Sequence, residues 1–487
     1  MNVPTTARKF VERLFAPSAF ELTEELFLRL LGLTYLAAFA SLWPQIDGLI
    51  GSHGVAPAAQ LIEALQSGAG SAAFWDVPSL FWFFPTDSAL VWLCALGCIA
   101  ALLLLCGAFR RLAAVSCFVL YLSLVSIGQP FTAFQWDALL LECGFLAFFT
   151  GTGWLIWAYR FLLFRLMFES GVVKLASHDP NWRNLHALRF HFMTQPLPNP
   201  IAYYAYRLPP WMLDGMTAAT LCIELAAPCL LFCPRRFRQA GVALLILLQL
   251  TIVLTGNYAF FNLLALALCL CGLDDRTFAP LSRVLHWRPF VLRRYHLPGV
   301  PAWRAAGNVA IAILIFFGAI EVVDMLGLHT RHGFARPLAA IAPFEIVNTY
   351  GLFAVMTTTR PEIVLEGSDD QVNWREYSFP YKPGNVYRGL PFVAPYQPRL
   401  DWQMWFAALG SYQADPWAGE LIFRLLTGEK AVLGLLDFTP FEKPPRYIRA
   451  LLYEYDFTLP SDRARTGAVW RRTLRGVWLG PVSLKQP

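Results

Sequence analysis

The densest set of chemically capable side chains in this sequence lies between residues 169 and 200. Lys174, Asp179, Trp182, Arg183, Asn184, His186, His191 and Gln195 fall within that stretch, which begins where an apolar run ends. A lysine pressed against a membrane can shed its charge when desolvated, and a neutral amine is a general base, so Lys174 is the one catalytic candidate. The competing reading has Lys174 snorkelling to the interface, with Asp179-Pro180 making a turn that caps a following helix. His186 and His191 are five positions apart, about 140° around a helix, a poor spacing for a shared metal ion. The chain carries no G-x-S-x-G elbow, no H-E-x-x-H, no P-loop and no G-x-G-x-x-G, so neither a metal nor a cofactor is expected.

Five further charged residues, Asp137, Glu142, Arg160, Arg165 and Glu224, sit inside apolar runs. Charges at such depth face a bundle interior and pair with one another, either tying helices together or forming a substrate or proton path. A transporter would use such a path, but no internal repeat supports one. The aromatic run from Asp401 to Phe406, with Trp402 and Trp405, reads either as a grip for an apolar client or as core and interface anchoring.

The elements that must position these residues are set by composition. Of 487 residues, 56% are hydrophobic and 15% charged, against roughly 25% charged in a soluble domain. Mean hydropathy is +0.47 and the net charge only +6. These values exclude a disordered chain, a nucleic-acid binder and a simple soluble enzyme. A bilayer core of about 30 Å takes roughly 20 apolar helical residues. Runs at 27–43, 89–108, 112–128, 216–233, 241–256 and 306–327 meet that need, and weaker ones at 136–151, 154–168 and 258–273 bring the total to about nine spans.

Basic residues orient the spans. Arg8, Lys9 and Arg13 precede the first, residues 44–88 hold no Lys or Arg, and Arg110 with Arg111 follow the second. Arg235, Arg236 and Arg238 follow the sixth, and Arg276, Arg283, Arg288, Arg293, Arg294 and Arg304 lie between the eighth and ninth. The N-terminus is thus expected in the cytoplasm, with loop 169–211 and the C-terminal region outside. Ala38-Phe39-Ala40 resembles a signal-peptidase site, but Glu21, Glu24 and Glu25 are wrong for a leader, and a retained helix is expected. All ten cysteines fall in apolar runs without a C-x-x-C, so they read as small hydrophobes rather than a disulfide framework.

After residue 343 alternation replaces long apolar runs. Strands are expected at 362–366, 374–381, 446–458 and 470–482, with helices at 401–409 and 417–426, the latter stopped by Gly428. The expected organisation is a cytoplasmic segment 1–26, a helical membrane domain 27–328 and a mostly β extracytoplasmic domain 344–487.

Several longer motifs resemble the lipase maturation factor family. They are Phe164-Arg-Leu-Met-Phe-Glu-Ser-Gly-Val-Val-Lys-Leu175, Asp179-Pro-Asn-Trp-Arg-Asn-Leu185, Thr194-Gln-Pro-Leu-Pro-Asn-Pro200, Leu254-Thr-Gly-Asn-Tyr258 and Asn348-Thr-Tyr-Gly-Leu-Phe353. Tyr381-Lys-Pro-Gly384, Pro398-Arg-Leu-Asp-Trp-Gln-Met-Trp-Phe406 and Pro444-Pro-Arg-Tyr-Ile-Arg449 extend the likeness through the C-terminal region. The resemblance implies an endoplasmic reticulum membrane protein that helps secreted lipases reach an active state. Without an N-x-[ST] sequon, a KDEL-like ending or extracytoplasmic cysteines, a bacterial inner-membrane member is expected. Its partners would be an exported client, a lipase among them, and membrane lipid. Asp179, Trp182, Arg183, Asn184, His186, Gln195, Trp402 and Trp405 are the candidate client contacts. A shorter stretch, Gly171-Val-Val-Lys174 followed by Asp179-Pro-Asn-Trp182, resembles the vitamin K-dependent carboxylase superfamily. That likeness implies an alternative enzyme with Lys174 as base on a lipid or quinone-like substrate.

Overall fold

Helix boundaries follow local capping chemistry. In α1 (Glu21–Leu42) the acidic first turn, Glu21 and Glu24, complements the helix dipole. In α2 (Asp87–Cys106) the Thr86 hydroxyl accepts from Ala89 N at 3.3 Å, and Gly107 ends the helix at φ 75°. Then come α3 (Arg110–Ile127), α4 (Gln135–Leu146), α5 (Leu155–Ala176), α6 (Leu188–Thr194), α7 (Pro210–Ala226), α8 (Arg235–Thr255), α9 (Phe261–Leu270) and α10 (Pro301–Val323). The computed structural model describes residues 20–278, 301–328 and 330–484. Arg8, Lys9, Arg13, Arg283, Arg288, Arg293 and Arg294 of the orientation argument lie outside the described residues.

Six helical segments among the described residues are long and apolar enough to cross a bilayer, rather than nine. They are Glu21–Ile50, Asp87–Cys106, Arg110–Ile127, Pro210–Phe232, Arg235–Thr255 and Ala302–Leu328. The three weaker runs fall short for definable reasons. α4 has 12 residues and α9 has 10, about 15–18 Å at 1.5 Å per residue. α5 is long enough at 22 residues but carries Arg160, Arg165, Glu169 and Lys174. Leu96, Ile99 and Leu102 of α2, and Ile313 and Phe316 of α10, stand exposed, as befits surfaces whose solvent is lipid.

Polar contacts gather helix ends into two sets. At one end Arg111 Nη2 donates to Thr150 O at 2.7 Å, Gly151 N to Glu24 at 3.0 Å, Thr23 N to Asp275 at 3.0 Å, and Arg235 pairs with Asp274 at 2.7 Å. At the other, Gln45 Nε2 donates to Gln397 O at 2.8 Å and Asn257 Nδ2 to Pro391 O at 3.0 Å, both in the C-terminal module.

The tightest helix crossing is between α1 and α2. A Cβ on Gly32 would lie 2.5 Å from Leu105 N and 3.0 Å from Ala101 O, both backbone atoms that no side-chain rotation can clear. Gly32→Val should therefore separate the two helices and cost about 1–3 kcal/mol. Thermal unfolding in detergent checks this, with Gly68→Ala, whose methyl meets open space, as the neutral control.

The C-terminal module is one antiparallel sheet ordered β2-β1-β3-β4, from β1 (Pro361–Ser368), β2 (Arg375–Glu376), β3 (Tyr447–Phe457) and β4 (Trp470–Val482). Helices α11 (Arg399–Ala408) and α12 (Pro416–Thr427) add to it, α12 stopping at Gly428, φ 73°. The strand expected at 374–381 shrinks to two residues, and helix rivals strand in extent, so the module is α+β with a small sheet rather than mostly β. In the turn after β1, Asp370 accepts from Val372 N and Asn373 N, each at 2.8 Å. Those backbone donors hold its carboxyl well below the usual carboxylate range. β1 is buried along its whole length, covered by α11.

Candidate functional site

The C-terminal half of α5 places Ser170 and Lys174 one turn apart, facing Glu224 of α7. Lys174 Nζ reaches Glu224 Oε1 at 2.8 Å, Oε2 at 2.9 Å and Ser170 O at 3.1 Å, and sits 5.2 Å from the centre of the Trp182 ring. Both charged residues are buried. These three acceptors match the three hydrogens of an ammonium group, the arrangement of a buried ion pair. The carboxylase-like reading, which needs Lys174 as the base, gains nothing from this arrangement.

The segment after α5 turns inward. Asp179 caps Asn181 N at 2.9 Å and accepts Met356 N at 2.6 Å, while the Trp182 indole donates to Phe353 O at 2.8 Å. Gln195 Nε2 donates to Thr255 O at 2.7 Å, and Tyr258 donates to Gln195 Oε1 at 2.8 Å. Tyr258 is also 2.9 Å from His191 Nε2. Burial first, then the Lys174 charge, push the His191 imidazole down to about 4, so it is neutral at physiological pH. Together Lys174, Glu224, Trp182, His191 and Tyr258 line a cavity of about 260 Å³, with Gln249 and the hydroxyls of Ser170, Thr220, Thr251 and Thr255 among apolar side chains.

Of the candidate client contacts, Asp179, Trp182, Gln195 and Trp405 are buried and make hydrogen bonds within the protein, the Trp405 indole donating to Thr194 O at 3.1 Å, and Trp402 is buried with its ring against Trp136 and its indole N–H unpaired. Arg183 and Asn184 are exposed and His186 half-buried. The intramembrane charges separate into distinct clusters. Arg165 pairs with Glu142 at 2.6 Å, and Tyr350 ties the same cluster to the C-terminal side through Glu142 at 2.8 Å and Glu169 at 2.7 Å. Asp137 pairs instead with Arg399, at 2.9 and 3.0 Å. Arg160 donates to Cys271 O at 2.8 Å.

The sequence reading gave no role of their own to Tyr258, Tyr350, Arg360 and Arg399. Arg360 spends its guanidinium on Met193 O at 2.8 Å, Gln195 O at 2.5 Å and Pro196 O at 2.7 Å, beside Glu362 at 2.9 Å. Tyr258, Tyr350 and Arg399 fall within quoted motifs, and Arg360 falls in none. Among the described residues no cluster of three or more metal-ligating side chains exists.

Comparison with known proteins decides the family. Residues 22–280 match the lipase maturation factor transmembrane domain, and residues 346–479 the lipase maturation factor C-terminal domain. The chain belongs to the lipase maturation factor family. Lipase maturation factor 2 of Gallus gallus is 36% identical over 92% of this chain and 79% of its own length. Lipase maturation factor 2 of Homo sapiens is 35% identical over 96% of this chain and 83% of its own. Lipase maturation factor 1 of Bos taurus is 33% identical over 95% and 89%. No solved structure matches the chain. This lipase maturation factor family member is an integral, multi-pass membrane protein. Its two family domains are stitched together by Asp137–Arg399, Glu142–Tyr350, Asp179–Met356 and Gln195–Arg360.

Proposed function

We propose that the chain is a membrane-embedded maturation factor that helps exported proteins fold or assemble, with lipases as clients. The carrying observation is that both family domains are present and are joined by buried hydrogen-bonded charges, which would give a client one rigid surface rather than two hinged modules. The client surface would include Arg183, Asn184 and His186, with the buried members of the Asp179–Gln195 stretch and Trp402 and Trp405 setting its shape. Action needs no nucleotide: holding apolar client surface until folding completes is enough.

The proposed orientation puts the N-terminus in the cytoplasm and the C-terminal module on the exported side of a bacterial inner membrane, with nine passes once α4, α5 and α9 are counted. Two things support it. Arg111, Arg235 and Asp275 share contacts at one end, and the C-terminal module meets the chain at the other. Residues 44–88, which lack Lys and Arg, leave α1 at that second end.

Removing the gene from the native host should lower the specific activity of an exported lipase at least tenfold without changing its transcript, and leave exported non-lipase enzymes unaffected. Equal lipase activity with and without the chain would overturn the reading. For orientation, Val372→Cys, on an exposed turn, should react with an impermeant maleimide added outside intact inner-membrane spheroplasts. Reaction only after lysis refutes it.

A further inference from the structure

The cavity beside Lys174 is lined by polar atoms whose hydrogens are already committed. The hydroxyls of Ser170, Thr220, Thr251 and Thr255 donate to carbonyls of their own helices at 2.7, 2.9, 2.9 and 2.8 Å. Lys174 has no free hydrogen, and the Trp182 indole is spent on Phe353 O. The Gln249 amide rests on the Met167 sulfur at 3.6 Å, a weak acceptor. What faces the space is therefore rich in lone pairs and poor in donors.

One of those lone pairs can be assigned to an atom. Gln195 directs its nitrogen at Thr255 O, which leaves Oε1 to accept, so Tyr258 must donate to it. Tyr258 has a single hydrogen, and the contact with His191 must then run from His191 Nε2–H to the Tyr258 oxygen. A neutral imidazole protonated at Nε2 carries a lone pair on Nδ1. Among the described residues nothing donates to it, and His191 lines the cavity.

The lining residues that stand exposed belong to α7 and α8, both parts of membrane-spanning candidates, and this argues for an opening between those helices. Ala219 and Leu247 line it from exposed positions, Leu247 at 58% exposure, and Leu250 and Leu254 continue the exposed apolar face of α8. An opening there faces acyl chains, not water.

We propose that this cavity is a binding site for a neutral, hydroxyl-bearing lipid of monoacylglycerol type, entering sideways from the bilayer with its head hydroxyl donating to His191 Nδ1. A fatty-acid carboxylate brings no donor and would set a second negative charge near Glu224. An uncharged head without a hydroxyl leaves the Nδ1 lone pair unmet once water is excluded, which is unfavourable. The volume of about 260 Å³ far exceeds the roughly 10–15 Å³ that a single water needs. It suits a glycerol head and the first carbons of a chain whose remainder lies in the membrane. The site goes beyond client maturation and is tested by binding alone, whatever the client.

The test uses the full chain in phosphatidylcholine nanodiscs and two photoreactive probes with the same diazirine-bearing chain, one a 1-monoacylglycerol and the other a methyl ester. The glycerol-headed probe should label peptides of α6, α7 and α8, and unlabelled monoacylglycerol should compete it away. The methyl ester should label them at least tenfold less. His191→Phe should erase that preference. Ala219→Trp and Leu247→Trp, each at the lip on an exposed position, should cut labelling tenfold with an unchanged unfolding midpoint. Equal labelling of the wild type by both probes overturns the proposal, as does undiminished labelling of either lip variant that keeps its midpoint.

Discussion

Arg399→Gln should lower the unfolding temperature of the solubilised protein by about 3–5 °C, from a loss of about 3–5 kcal/mol. Arg399 is fully buried, and its guanidinium bonds Asp137 at 2.9 and 3.0 Å and Phe131 O at 2.6 Å. Asp137 is equally buried and has Tyr121 as its other partner. Removing the cation leaves a carboxylate without its counter-charge in a medium that solvates it poorly, and that penalty exceeds the value of the intact pair. The backbone of Arg399 also donates to Gln45 at 2.9 Å, and the Trp136 indole to Gln397 at 2.7 Å, so the loss falls where the two family domains join. Adding Asp137→Asn to Arg399→Gln removes the stranded charge and should recover more than half of the loss. A single variant as stable as wild type in a differential scanning measurement would refute the account.

Lys174→Met is the second large effect, about 3–5 kcal/mol, because it strands Glu224 in the same way. Met keeps the length and volume of the lysine stem, so packing changes little and the electrostatic loss is isolated. The double variant Lys174→Met/Glu224→Gln carries no buried charge and should regain most of that stability. The comparison separates a structural ion pair from a base with no structural duty. If Lys174→Met unfolds like wild type, the ammonium does not hold α5 to α7. If the double variant is no better than the single, the stranded carboxylate is not the cause.

The element types and their order were legible in the sequence, since they depend on neighbours in the chain. Apolar runs of the right length became spanning candidates, the short apolar run from Glu362 to Glu366 became β1, and Gly428 stopped α12. α5 shows where such reading stops. Its length suits a bilayer, yet four charged residues keep it out of the spanning candidates, and their buried partners show it to be an interior helix. The aromatic run from Trp402 to Phe406 is undecided by periodicity alone. In the fold Trp402 and Trp405 are buried, a placement periodicity does not foretell, and Phe406 remains 44% exposed.

By itself, then, the sequence determined the family, the membrane-embedded class and the succession of helices followed by a small sheet, because capping, amphipathic period and motif are local properties. Which charge meets which was decided only by tertiary structure. Asp137 and Arg399 are 262 positions apart and Lys174 and Glu224 are 50 apart, and no spacing rule reaches across such distances. The cavity exists only because α5, α6, α7 and α8 converge, and the proton arrangement at His191 follows from the direction in which Gln195 and Tyr258 bond behind it.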